Sequence, residues 1–179
     1  LQLAHALQED WAWAYEQNKD LGGYSPDSVS AGRRALANLA LSMLVLDAAT
    51  RQDPVWTGKA LQRFKDATNM TDRFGALSAL VNSHAELAEQ ALQRFHEQFK
   101  GEALVIDKWF TLQAGAPEKD GKVFARAKDA LKCEVDLGIK VAHGLGGHGA
   151  FFRSILQEGV HSMPRVCSNR HWLPHAPFK

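Results

Sequence analysis

The chain has 179 residues, a formal net charge of +1 and 23% charged residues, length enough for one domain with a substantial core. So even a balance gives no reason to expect nucleic acid or an anionic membrane surface as a partner. Its two cysteines, Cys133 and Cys167, make neither a disulfide framework nor a metal motif, so a reducing, cytoplasmic setting is the expectation.

No basic region followed by an apolar run opens the chain, which agrees with that setting. The longest apolar tract, residues 35–46, is interrupted by Asn38 and Ser42. It is too short to span a bilayer and reads as a buried helix. Leu1 already falls inside a helical apolar pattern, as in a sequence cut from a longer one.

Leu3, Leu7, Trp11 and Tyr15, with Ala4 and Ala14, recur at helical spacing and predict one amphipathic helix over 3–19. Trp11 and Trp13 would lie on different faces of it, leaving one indole exposed for a neighbouring domain. The run Leu21-Gly22-Gly23-Tyr24-Ser25-Pro26 ends the helix in a turn. A long helix follows over 27–50. Its stripe of Leu36, Leu39, Met43 and Leu46 is widened by Leu41, Leu44 and Val45, so it should be enclosed by neighbours.

Asp53-Pro54 is a helix start, aspartate as cap and proline at the first position, and this helix runs to about Ala67. Asn69 or Thr71 caps the next, which ends near Asn82. Ser83-His84-Ala85-Glu86 has the spacing of a capping box and opens a helix that ends at Lys100-Gly101. Residues 102–114 form another, closed by Gly115-Ala116-Pro117. Residues 120–132 form a seventh.

Two echoes link these helices. Ala60-Leu61-Gln62-Arg63-Phe64 returns letter for letter as Ala91-Leu92-Gln93-Arg94-Phe95, 31 positions on. Asp72-Arg73-Phe74-Gly75-Ala76-Leu77-Ser78-Ala79 returns loosely, 35 positions on, from Asp107-Lys108-Trp109-Phe110 to Ala114. Offsets of this size belong to helix-hairpin repeats. Short turns and no β-alternation make the expected fold an all-α helical-hairpin solenoid over residues 1–132.

After Lys132 the character changes. Of 26 alanines only 3 fall in residues 133–179, which hold both cysteines and five of eight histidines. The glycines of His143-Gly144-Leu145-Gly146-Gly147-His148-Gly149 each cost a helix about 1 kcal/mol, so this tail should be irregular and loosely packed. A shift of reading frame, a junction in the source sequence or real divergence produces such a change.

Candidate chemistry is sparse. The zinc-peptidase pattern H-E-x-x-H does not occur, nor does a phosphate-binding loop; Gly144-Leu145-Gly146-Gly147 lacks the preceding strand and the spacing. His161, Cys167, His171 and His175 could be imagined as metal ligands, but only the last two have a ligand-like spacing, with Pro174 between them. Asp72 and Asp107 occupy corresponding places and could be paired as acid and base. Their position near helix starts, beside Arg73 and Lys108, favours caps and solvated ion pairs. Phe74, Trp109 and Phe110 read as core aromatics first.

Asn69-Met70-Thr71-Asp72-Arg73 with its following Ala-Leu-Ser-Ala, and Val105-Ile106-Asp107-Lys108-Trp109-Phe110 with its following Leu-Gln-Ala, resemble the C-terminal helical domain of the bacterial aminopeptidase N family. Residues 30–38, Ser-Ala-Gly-Arg-Arg-Ala-Leu-Ala-Asn, resemble an earlier run of the same domain. The resemblance covers about residues 1–132. It implies an armadillo- or HEAT-like superhelix closing over a separate catalytic domain. That domain binds one zinc through two histidines and a glutamate and removes N-terminal residues from peptides. None of those residues matches a position here, so no catalytic, cofactor-binding or metal residue is assigned. The implied partners are that catalytic domain and, through its chamber, peptide substrates. Two other readings stay open: a free-standing helical-repeat protein-binding scaffold, which needs a polar capping helix at each end, and a small metal-binding protein using the tail histidines.

Overall fold

In the computed structural model, residues 1–19, 23–123 and 125–129 are described, and all lie within one compact unit. Every regular element among them is helical: α1 Gln2–Ala6, α2 Gln8–Asn18, α3 Ser28–Arg51, α4 Pro54–Asp66, α5 Met70–Asn82, α6 Ala88–Phe99 and α7 Ala103–Gly115. Residues 122, 123 and 125–129 are helical again. The expected tail, the glycine-histidine run and the tail ligand candidates lie outside the described residues.

The caps set the boundaries. Asp27 accepts from the amides of Val29 and Ser30, 3.0 and 2.9 Å away, and starts α3. Asp53 accepts from the Val55 amide with Pro54 at the first position of α4, as the sequence implies. Asn69, of the two candidates, caps α5 by accepting from the Asp72 amide at 2.9 Å. α7 stops at Ala116, extended at φ −63°, ψ 149° as the residue before a proline prefers.

The capping box over 83–86 does not form. Ser83 is buried and its hydroxyl donates back to the carbonyls of Ala79 and Leu80, at 2.7 and 3.1 Å. It therefore closes α5, adding a side-chain bond to carbonyls of the last turn that the amides of Ser83 and Ala85 also reach. His84 then turns the chain at φ +54°, and α6 begins only at Ala88.

The single helix expected over 3–19 is broken at Leu7, whose φ of −111° and ψ of 30° leave the helical range. Trp11 Nε1 reaches the Leu3 carbonyl across the break, at 3.4 Å. The leucine stripe is not the buried side either: Leu3 is 56% exposed, while Ala4 is 1% exposed. The small face of α1 sits against α3, where His5 Nδ1 lies 3.1 Å from the buried Asp47 carboxylate. Arg51 holds the other Asp47 oxygen. Trp13 is exposed and Trp11 half-buried, as different faces require.

α5 packs on both α3 and α7; α4 lies on α3 and α5, and α6 on α5 and α7. The repeated letters explain this. Ala60, Leu61 and Phe64 on α4 and Ala91, Leu92 and Phe95 on α6 are all buried, the same face of equivalent helices turned inward. Phe64 and Phe95 meet with ring centroids 6.4 Å apart. With Leu41, Leu44, Val45, Leu77, Leu80 and Val81 they are the largest fully enclosed side chains, each stabilising by about 1.5–3 kcal/mol.

α3 departs from expectation in one respect. Its core face is Ala37, Ala40, Leu41, Leu44, Val45 and Ala48, whereas Leu36 and Leu39 are 40% and 46% exposed. α3 is long and apolar enough to cross a membrane by length and composition. Its packing on α2, α4 and α5 and its buried Asp47 account for it within a folded array.

Candidate functional site

The asparagine-methionine-threonine-aspartate run makes a half-buried polar cluster around the buried Asp72. Asp72, in the first turn of α5, accepts from the Arg63 guanidinium at 2.8 Å, with the Arg63 and Asp72 side chains 13% and 12% exposed. Asn69 Nδ2 donates to the other Asp72 oxygen at 3.0 Å. Arg63 also reaches Asn38 Oδ1 on α3, at 3.4 Å, and lies over the Tyr15 ring of α2. One ion pair thus ties four helices, and the oxygens of Asp72 and Asn38 answer the Nη2 end of the guanidinium, whose buried Nε has no hydrogen-bond partner.

The solvated pair expected between Asp72 and Arg73 is therefore absent. Adjacent helical residues point to different faces, and Arg73 instead donates to the Ala67 carbonyl and lies against the Phe99 ring. Gly75 belongs to the same contact. A Cβ there would stand 2.7 Å from Asn38 Cγ, so only glycine lets α3 and α5 approach this closely with Asn38 in place.

The second copy keeps the letters and loses the cluster. Arg94 is exposed, Asp107 is half-buried, and no ion pair joins them. Trp109 is buried and its indole N–H donates to the Leu92 carbonyl of α6 at 3.0 Å; Phe110 is buried beside it. Asp107 faces an open groove of about 510 Å³ between α5 and α7, lined also by Phe74, Leu104, Lys108 and Thr111. Asp72 and Asp107 are not brought together as an acid–base pair. The Arg63–Asp72 pair escaped the sequence reading, although both letters lie in the repeated runs.

Zinc chemistry needs three protein donors and an open position. Among the described residues no three His, Cys, Asp or Glu side chains come together in a way that could hold a metal, so these residues do not fit that group. Exposed apolar side chains are distributed unevenly. Of the ten large ones among the described residues, eight (Leu1, Leu3, Leu7, Trp13, Tyr24, Val29, Leu36 and Leu39) fall in the first 39 positions.

Known proteins match the helical part. A family model described as a domain of unknown function (DUF3458_C) of ARM repeats matches residues 1–134. The chain is 37% identical over 99 residues to an aminopeptidase N of Caulobacter vibrioides, covering 55% of this chain and 11% of that protein. It is 30% identical over 115 residues to the aminopeptidase N of Escherichia coli, covering 64% and 13%. For the Haemophilus influenzae aminopeptidase N the figures are 29% over 117 residues, covering 65% and 13%. The match thus spans 11–13% of the length of these relatives. With its stacked helical hairpins and these relatives, the chain belongs to the DUF3458_C family of ARM repeats, the C-terminal helical domain of aminopeptidase N.

Proposed function

We propose that this chain is a non-catalytic part of a cytoplasmic, zinc-dependent aminopeptidase of the aminopeptidase N type, where it shapes and gates the chamber that admits peptides. The observation that carries this reading is the family match over residues 1–134, joined to relatives named aminopeptidase N. Removal of N-terminal residues by such chemistry needs a metal-activated water and a carboxylate base beside it. The chain has no H-E-x-x-H, and its best-built charged pair, Arg63 with Asp72, is engaged in joining helices. Metal and base therefore belong to a separate catalytic domain, which is this chain's partner along with the peptides passing it. The groove of Phe74, Leu104, Asp107, Lys108 and Thr111 suits a chamber wall, apolar with one charge of each sign. The exposed leucines of α1 and α3 suit a surface covered by more protein.

The test is to assay the 179-residue chain on an alanyl-anilide substrate, with and without added zinc. No turnover above background is expected in either condition. Zinc-dependent hydrolysis by the chain alone would overturn the proposal.

A further inference from the structure

Three enclosed side-chain polar atoms among the described residues have no hydrogen-bond partner: Arg63 Nε, His84 Nδ1 and Arg126 Nη1. Two of the three lie at one joint, where the chain beyond α7 meets the α5–α6 turn and the start of α6. His84 Nε2 lies 2.7 Å from the Pro117 carbonyl oxygen. Arg126 Nη2 lies 2.6 Å from the carboxylate of Glu89, in the first turn of α6. Between these contacts the chain turns at Asp120 and Gly121, with φ of +56° and +72°. The Lys122 amide donates to the Lys119 carbonyl across that turn, at 3.0 Å.

His84 stands just past the cap of α5, where a left-handed residue closes a helix and glycine is the usual choice. Backbone alone makes this closure. The His84 amide donates to the Val81 carbonyl and the Ala85 amide to the Leu80 carbonyl, both at 3.1 Å. The imidazole adds nothing to it and serves the contact with Pro117 instead. A carbonyl oxygen only accepts, so Nε2 carries the proton and Nδ1 is an enclosed acceptor with no donor. Enclosing Nδ1 costs at least as much as the bond at Nε2 returns. Arg126 is in the same position: its partner Glu89 is 67% exposed, and an ion pair so open to water stabilises little. Opening the joint lets water reach both unpartnered nitrogens. The apolar side chains that the described residues of this segment bury are Ala116, Val123 and Ala127, which oppose that opening weakly beside a core of phenylalanines and leucines.

From this balance we infer that the joint is a clasp with His84 as its catch. It opens and closes within the folded protein, residues 117–123 and 125–129 leaving α6 while α1 to α7 stay packed. The inference rests on the joint alone and not on the proposed function; within that function it makes this end of the wall the movable one.

The experiment is native-state hydrogen exchange on the 179-residue chain, read at the amides of residues 125–129 and of α5. In the wild type the former should exchange at least about 100-fold faster. His84→Gly keeps the turn, because glycine takes φ +54° without strain, but removes the catch. It should speed exchange at 125–129 about five- to tenfold, leave α5 unchanged, and hold or raise the urea midpoint. His84→Gln places an amide N–H at similar reach and should return exchange to within about twofold of the wild type. Residues 125–129 as well protected as α5 in the wild type, or indifferent to His84→Gly, would overturn the clasp. So would a His84→Gly chain whose midpoint falls while every helix exchanges faster, which makes His84 a staple of the whole fold. Failure of His84→Gln to restore protection that His84→Gly removes would also overturn it, since the effect would not run through the bond to Pro117.

Discussion

The hairpin α4–α5 and the hairpin α6–α7 use nearly the same letters for different ends. Their apolar positions are interchangeable: Ala60 with Ala91, Leu61 with Leu92, Phe64 with Phe95 and Leu77 with Leu112 are all buried. Their polar positions are not. Arg63 and Asp72 meet in a largely enclosed ion pair, whereas Arg94 and Asp107, their counterparts, stay apart. The second pair is separated by 13 residues instead of 9, and no α3 with its Asn38 lies across it. Gly75, which admits Asn38, is matched by Phe110. A repeat thus copies its core and improvises its polar contacts from whatever element is next to it.

The comparison can be broken first at its shared part. Phe64→Ala and Phe95→Ala should each cost about 3–5 kcal/mol in urea unfolding, because both rings are enclosed and leave a cavity. A loss under half that at either site would show that the two hairpins do not share one core.

The divergent part gives a sharper contrast. Asp72→Ala strands a guanidinium whose side chain is only 13% exposed and should cost about 3 kcal/mol. Asp107→Ala should change stability by no more than about 0.5 kcal/mol. Equal costs, measured by chemical denaturation, would erase the distinction drawn between the hairpins.

Gly75→Ala should cost about 1–2 kcal/mol, the overpacking of Asn38, and Asn38→Ala should recover most of it in the double variant. A Gly75→Ala chain as stable as wild type would remove the close α3–α5 contact from the account.

The smallest effect concerns Asp27. Hydrogen bonds from the Ser25 hydroxyl first, and from Ser30 and Val29, hold its carboxyl well below the usual carboxylate range. The folded state therefore binds this proton less readily than the unfolded one. The cap's contribution is complete above the unfolded value near 3.8 and is lost as pH falls through the lower, folded one. Asp27→Asn should flatten that acid limb of the stability curve and leave stability near pH 7 little changed. An unaltered limb in thermal melts would show that the cap carries no such linkage.

Much of this was legible in the letters. Aspartate and proline at 53–54 fixed where α4 starts, and the 31-residue echo placed α4 and α6 in equivalent roles, because caps and apolar period act within a few residues. What was not legible depends on contacts from far along the chain. Ser83 has a capping-box neighbour in Glu86, yet burial drew its hydroxyl back to α5. Leu3 and Leu7 had the period of a core stripe, yet Ala4 and His5 made the contact with α3. Arg63 and Asp72 sit in two separate echoes, and nothing local says that the first copy bonds and the second does not. The α3 stripe has the letters of an enclosed face and yet is part-exposed, because period reports an apolar face and not what covers it.

The proposal stands or falls on access to the chamber. The direct measurement is kcat/KM of the separately prepared catalytic portion on a long peptide and on an alanyl-anilide, before and after adding the 179-residue chain. The account predicts that the ratio of the two constants shifts as a complex forms, because a wall discriminates by peptide length. A ratio that stays constant in a complex known to have formed would contradict it.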